Sequence, residues 1–237
     1  MNRKYCRPIL ATNYCECFEL IDMGLPSGTL WADRNLGADS ITGNVNGFSA
    51  GNYYAWGETE PRDDDWAKNK PYNYVNCPFN NGKSEFDRAY FWNNKDKWLD
   101  GIVLKPEYDA VVQCLGKEGC CIPTAEDCQE FIDNTTSALT YDYKGSGVDG
   151  VLFTSKANGN EVFIPFSGRR DESDTVRTDA VILWSSTWNA NDTWAYCSMA
   201  LYSRAKDESQ SETEDACEVR PMPRPNGVCI RAVLKKQ

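Results

Sequence analysis

Among the residue types that most often carry enzyme chemistry, this chain of 237 residues has 11 cysteines and 35 acidic residues but no histidine. Without histidine, Ser-His-Asp and Cys-His catalysis and every metal site that needs imidazole are excluded. Acidic residues are plentiful, but no pair is singled out as the acid and base of a glycosidase. We predict a protein that is not an enzyme and that holds no cofactor and no metal, which fits the absence of histidine, with a glycosidase-like carboxylate pair as the open alternative.

The cysteines are odd in number, and their spacing does not repeat. The Cys15-Glu16-Cys17 and Cys120-Cys121 arrangements lack the two-residue gap of zinc knuckles, so they do not predict a structural zinc site. Because no secretion signal precedes them, a reducing site of synthesis is expected, where disulfides are rare. We interpret most thiols as small buried hydrophobic groups, with disulfides formed after release from a cell as the alternative.

Charge and hydropathy restrict the kinds of partner that this chain can bind. With 25 basic and 35 acidic residues, the net charge is −10, which argues against nucleic acid and against anionic membranes. No segment approaches the ~20 continuous apolar residues that a membrane span requires. The start of the chain shows no signal peptide, so we expect a cytoplasmic protein unless it is assembled into a particle.

The most informative segment runs from Trp194 to Arg204, where side-chain character alternates with the period of a strand. One set is small and mostly apolar: Ala195, Cys197, Met199, Leu201 and Ser203. The other set is mainly aromatic and polar: Trp194, Tyr196, Ser198, Ala200, Tyr202 and Arg204. The second set is typical of binding surfaces. The alternative is that its aromatic rings cover a second layer or a neighbouring loop.

Two helices are predicted to support such a surface. From Pro106 to Gly116, apolar residues follow helical spacing, with proline at the start and glycine at the stop. A second helix begins near Thr124, where Asp127 completes a capping-box pattern. Its predicted buried face consists of Cys128, Phe131 and Ile132.

Strands are predicted in the second half of the chain. Runs at residues 151–155 and 161–166 flank Asn158-Gly159, a strong hairpin signal. Residues 181–188 read as a strand buried on both faces, and residues 227–234 as a last strand. We predict an α+β fold, with two helices packed on a small antiparallel sheet and long irregular loops. Residues 1–17 are interpreted as a leader or docking segment, and residues 18–237 as one domain.

Separate blocks along the chain fall in the order of one known family. These blocks are Asp22 to Ala32, Asn35 to Ala38, Tyr53 to Thr59, Ile122 to Asp127, Phe153 to Lys156, Ile164 to Gly168, Trp184 to Ser186 and Gly227 to Val233. Over about residues 18–234 the chain resembles the Fibrobacter succinogenes major-paralogue domain, a large family from gut bacteria and their phages.

That resemblance implies a C-type-lectin-like fold, similar to the variable proteins of diversity-generating retroelements and, more distantly, to formylglycine-generating enzymes. In the retroelement proteins the variable positions lie between the Trp-Ser-Ser strand and the last strand, here residues 189–226. The implied ligand contacts are Asn189, Asn191, Trp194, Tyr196, Ser198, Tyr202 and Arg204. The calcium-binding triplets of animal lectins are missing, so calcium-dependent sugar binding is not implied.

Three functions compete at this point. The first is a binding and display module that recognises a host-surface protein or glycan, for example on a phage virion, with residues 1–17 contacting other virion proteins. The second is a structural coat or fibre element, in which the aromatic face joins identical chains into a homo-oligomer. The third is an oxidase related to the formylglycine generators, which would need a metal-binding pair among Cys197, Cys217 and Cys229.

Overall fold

The structure is a computed structural model that describes residues 3–8, 15–43, 50–62, 70–116, 118–172, 180–189, 195–200 and 217–236. For residues 3–8, 15–17 and 195–200 the course of the backbone is described. The described residues form an α+β structure in which strands outnumber helices, as the sequence predicts. None of their helices is long and apolar enough to cross a bilayer. The C-type-lectin-like identity of the fold stays a prediction.

Three α-helices are described: α1 (Arg88–Trp98), α2 (Ala110–Leu115) and α3 (Ala125–Asp133). The start of α3 confirms the predicted capping box, since the Thr124 hydroxyl accepts from the Asp127 amide and the Asp127 carboxylate accepts from the Thr124 amide. Cys128 and Phe131 are buried as predicted, whereas Ile132 is half-buried. The prediction of two helices is wrong, because it missed α1, most of whose residues are polar.

The continuous helix predicted from Pro106 to Gly116 is also wrong. A 3-10 turn at Pro106–Tyr108 ends at Asp109, whose extended backbone breaks the helix before α2. The buried Asp109 carboxylate accepts from the backbone amides of Val111 and Val112 and from that of Ile122. Asp109 is therefore the N-cap of α2, which ends at Gly116 in the left-handed conformation, as predicted.

The strands that the structure describes are, in chain order, β1 (Arg3–Pro8), β2 (Cys15–Asp22), β3 (Leu30–Ala32), β4 (Tyr53–Tyr54), β5 (Leu99–Asp100), β6 (Val103–Leu104), β7 (Cys120–Cys121), β8 (Thr135–Thr140), β9 (Gly150–Ser155), β10 (Glu161–Pro165), β11 (Val181–Trp188), β12 (Ala195–Ala200), β13 (Cys217–Met222), β14 (Val228–Cys229) and β15 (Val233–Leu234). The predicted boundary between residues 17 and 18 falls inside β2, which pairs with β1. The assignment of residues 1–17 to a docking segment stays a prediction.

These strands form three sheets rather than one small antiparallel sheet. The first has the order β1-β2-β3-β15-β7 and brings the described ends of the chain together. The second is the β10-β9-β8 meander, which contains the predicted hairpin. The third follows β13-β12-β11-β14-β4, and β11 and β14 are parallel. The predicted last strand is two short strands, β14 and β15, which belong to different sheets.

Strand β11 is buried along its whole length, as predicted, and separates two hydrophobic clusters. Ile182, Trp184 and Trp188 belong to one cluster. Val181 and Leu183 belong to the other, together with side chains of α3 and the β9–β10 hairpin. Because successive side chains of a strand point to opposite faces, this single strand supplies both cores.

Residues 185–187 of β11 are polar, and their buried groups form hydrogen bonds with two of the sequence blocks described above. The Ser185 carbonyl accepts from the Trp56 indole at 3.0 Å. The Ser186 amide donates to the Pro123 carbonyl at 2.8 Å, and the Thr187 hydroxyl accepts from the Ala125 amide at 2.9 Å. Buried polar groups must be paired in this way, so these blocks meet at one place in the fold.

Arg231 is fully buried, at 0% exposure, and its guanidinium joins distant parts of the chain. Its Nε donates to Asn35 Oδ1 at 2.8 Å, and its Nη1 lies 3.2 Å from the Ala32 carbonyl and 3.3 Å from the Phe163 carbonyl. Burial lowers the pKa of Arg231 to about 9, because the charged form loses hydration, although Asp33 opposes the shift.

Changing Arg231→Lys keeps the charge but removes the planar fork of donors, so buried acceptors lose their partners. We expect the free energy of unfolding to fall by about 3 kcal/mol or more in urea titrations. Arg220→Lys, at a half-exposed arginine of β13, is the matched control and should change it by less than about 0.5 kcal/mol. Equal losses in the two variants would mean that the guanidinium geometry is unimportant.

Candidate functional site

The predicted ligand-contact residues begin where β11 ends. Asn189 directly follows Trp188 and is buried, with 6% of its surface exposed. Tyr196 and Ser198 lie in β12, where Tyr196 pairs with Pro221 of β13, and Ser198 pairs with Val219 of β13 and, on the other side, with Leu183 of β11. The remaining four lie outside the described residues: Asn191, Trp194, Tyr202 and Arg204. Their role in binding stays a prediction.

Trp188 fixes the position from which this segment starts. Its ring centroid lies 5.0 Å from those of both Phe91 and Trp92 in α1. Its backbone amide donates to the Ile102 carbonyl at 2.7 Å. Trp92 and Ile102 are 46% and 41% exposed, so two large apolar side chains face solvent beside the buried Trp188. We call Trp92 and Ile102 the Trp92 patch.

A second feature is a cleft of about 460 Å³, which sequence reasoning missed. Its aromatic lining consists of Phe79, Tyr90, Trp98 and Tyr108. Phe79 is at the centre: its ring stacks on Trp98 at 4.6 Å and meets Tyr108 edge-on at 5.2 Å. We call this feature the Phe79 cleft.

The backbone around the Phe79 cleft is strained. Phe79 has a φ of 63° and Asn81 a φ of 54°, a region that a bulky side chain rarely adopts. Such strain costs about 1–3 kcal/mol per residue and is retained where the surrounding structure fixes it. Gly57 is part of that surrounding: a Cβ there would lie 2.4 Å from the Phe79 ring. The glycine of the Tyr53 to Thr59 block is therefore needed for close packing.

Asn80 holds the loop that carries these strained residues. It is completely buried, and its Nδ2 lies 2.9 Å from the carbonyl oxygens of Tyr74, Lys83 and Glu85. Its Oδ1 accepts from the Asp87 amide at 2.8 Å, just before α1. One amide side chain thus satisfies backbone groups on both sides of Phe79.

Charges at the edge of the Phe79 cleft are mutually compensated. The buried Glu58 carboxylate accepts from the Arg62 guanidinium, with Nη2 to Oε1 at 2.6 Å, and from Lys70 Nζ at 3.2 Å. Its Oε2 also accepts from the Ala55 amide at 2.9 Å. Glu60 is exposed at the same edge. Two acidic and two basic groups leave the region close to neutral.

The described cysteines lie largely in the interior, in agreement with the sequence interpretation. Cys77, Cys120, Cys128 and Cys229 are buried. Burial raises the pKa of the Cys77 and Cys229 thiols to about 12, because the thiolate would lose its hydration. Within the described residues, no three cysteine or carboxylate side chains converge on one point as metal ligands would.

No family model, no curated protein and no solved structure matches this chain. The resemblance drawn from the sequence blocks therefore stays a prediction. The Phe79 cleft could not be found from sequence, because its lining comes from four separate stretches between residues 57 and 108. The one available signal was the Tyr53 to Thr59 block, whose Gly57 and Glu58 lie at the cleft.

Asn80→Asp should destabilise the loop around the Phe79 cleft, because a carboxylate cannot donate to the three carbonyls beside it. We expect the free energy of unfolding to fall by at least about 2 kcal/mol, with faster amide exchange over residues 74–87. Asn160→Asp, at an exposed asparagine of the β9–β10 turn, is the control and should cost less than about 1 kcal/mol. Unchanged amide exchange in Asn80→Asp would contradict this role.

The buried Cys229 thiol predicts a loss of stability in alkali. Its pKa is raised from 9.0 to about 12, so its contribution is complete below pH 9 and declines as the pH rises towards 12. The stability difference between the wild type and Cys229→Ala should shrink by about 1 kcal/mol from pH 9 to pH 10. Below pH 8 the difference should be constant. Parallel curves across both ranges would show that Cys229 is not protected by burial.

Proposed function

We propose that this protein is a non-catalytic binding module that displays residues 189–204 as a recognition surface on a rigid scaffold. The observation that supports this most is the anchoring of Trp188, directly before that segment, between Phe91 and Trp92. The ligand would be a host-surface protein or glycan. A phage virion surface is the natural setting if the chain is phage-encoded, with residues 1–17 contacting other virion proteins.

The rigidity of β11, which precedes residues 189–204, favours a role of that segment in ligand recognition. Both faces of β11 are packed, and its Ser185, Ser186 and Thr187 are buried and hydrogen-bonded to other elements. A segment that leaves such a strand starts from a fixed point, which lowers the entropy lost on binding. Display of variable side chains on a fixed frame is the arrangement that the family resemblance implies.

The composition of the surface supports a contact role. The predicted contacts include Trp194, Tyr196 and Tyr202, and the exposed Trp92 lies beside the start of the segment. Large aromatic side chains supply most of the energy at protein interfaces. The net charge of −10 makes an anionic ligand unfavourable.

A structural coat or fibre element is the second candidate. It is favoured by the Trp92 patch, because Trp92 and Ile102 expose apolar area that a second copy of the chain could cover. The oxidase alternative is less well supported, since Cys229 is buried and burial disfavours its thiolate.

The recognition surface is tested by changing Trp194, Tyr196 and Tyr202 together to alanine. We expect binding to host-cell surfaces or to a glycan array to fall at least about 10-fold, because aromatic contact area is lost. Tyr141→Ala is the control, because Tyr141 is 56% exposed and lies between β8 and β9.

Light scattering of the same samples separates the two candidates. Lost binding with an unchanged mass supports recognition. A wild-type oligomer that dissociates in the triple variant, without any ligand bound by the wild type, supports the structural element instead.

A further inference from the structure

We propose that the Phe79 cleft is a second binding site, distinct from residues 189–204, and that it takes one neutral saccharide unit. This inference does not rest on the proposed function. Its volume of about 460 Å³ lies within the ~300–1,000 Å³ of typical small-ligand sites. It is lined by residues of the 57–60 and 70–81 stretches, by Tyr90 and Trp98 of α1, and by Tyr108.

The aromatic lining suits the apolar face of a sugar ring. Phe79, Tyr90 and Tyr108 are half-buried, so part of each side chain remains open to a ligand. The face of an aromatic ring carries negative potential and attracts the polarised C–H groups of a pyranose. Trp98 lies behind Phe79 and holds its ring by stacking.

Polar groups around the rings suit sugar hydroxyls. Thr59, Glu60 and Asn81 line the cleft, and between them they offer a hydroxyl, a carboxylate and an amide. Sugar hydroxyls donate and accept at once, so a mixed set of this kind can satisfy them. A purely apolar ligand would leave these groups without partners as they lose water.

Charge selects a neutral ligand. Glu58 is already paired with Arg62 and Lys70, so among the residues that line the cleft a cation would meet only the exposed carboxylate of Glu60, where an ion pair adds little. An anion would approach Glu60 against the overall negative charge of the chain. Neither sign of charge therefore improves much on a neutral ligand.

The construction of the cleft supports a binding role. Phe79 and Asn81 hold strained backbone conformations, and the buried Asn80 between them fixes the loop by four contacts to the backbone. Strain of this kind persists where surrounding structure maintains it, and it is concentrated at ligand sites. A cleft fixed before binding loses little entropy when the ligand enters.

The test is saturation-transfer-difference NMR on the full chain with glucose, galactose, mannose and N-acetylglucosamine. We expect at least one of them to give a signal with a Kd of about 1 mM or lower, a weak but specific affinity. Glucuronate, which is anionic, should bind at least about 5-fold more weakly than glucose, whereas glucosamine, which is cationic, should bind less than about 5-fold more tightly than glucose. The same measurement with the methyl glycosides of these sugars, in which the anomeric oxygen is substituted, distinguishes a free sugar from the end of a glycan chain.

Variants locate the site. Tyr108→Ala should weaken the signal at least about 10-fold, because it removes an aromatic face. Asn81→Gly should weaken it about 3-fold or more, because glycine keeps the positive φ without strain while the amide is lost. Tyr141→Ala, outside the cleft, should bind like the wild type.

Two results would overturn the inference: no signal from any neutral sugar with the wild type, or full signal in both cleft variants. Thermal melting confirms that each variant is folded. If Tyr108→Ala proves unstable, Tyr108→Phe takes its place; this variant keeps the aromatic ring and should retain most of the signal. The alanine triple variant at residues 194, 196 and 202 should bind the sugar like the wild type, so this site and the proposed recognition surface can fail separately.

Discussion

A strand that is buried on both faces must find partners for its polar groups inside the protein, and β11 finds them on elements from distant parts of the chain. Within the part of the chain that the structure describes, the buried indole Nε1 of Trp188 at its end is the exception, because no acceptor lies within reach of it. It pairs with β12, β14 and β6, and its Ser185, Ser186 and Thr187 contact the Trp56 and Pro123 regions. The apolar residues of the strand supply side chains to both hydrophobic clusters. The remaining elements are arranged around these contacts.

Both proposed binding features follow from this arrangement. Trp188, the last residue of β11, packs against Phe91 and Trp92 of α1. The segment with the predicted ligand contacts follows it directly in the sequence. Across the same cluster, Trp56 binds Ser185 and also meets the ring of Phe79 edge-on at 6.0 Å. The recognition surface and the Phe79 cleft therefore share one scaffold, while their lining residues differ.

Charged and ionisable groups in the interior add a second constraint. Arg231 and Cys229 lie two residues apart near the end of the chain, and both are fully buried. Burial disfavours the charged form of each, so it lowers the pKa of the arginine and raises that of the thiol. The hydrogen bonds of Arg231 to Asn35, Ala32 and Phe163 offset part of this cost and bind the C-terminal strands to the rest of the fold.

Local signals in the sequence determined the elements whose causes are local. The capping box at Thr124 and the Asn158-Gly159 hairpin depend on contacts between residues close in sequence, and both were predicted correctly. The buried strand at residues 181–188 was also predicted correctly, because its run of β-branched and aromatic residues is itself a local signal. Tertiary structure decided the rest. Asp109 interrupts the helix because it caps α2 and also binds the distant Ile122 amide, and α1 is stabilised by the burial of Phe91 and Trp98. The positive φ of Phe79 and the cleft around it depend on Asn80, Gly57 and Trp98, whose contacts around Phe79 no period or motif encodes.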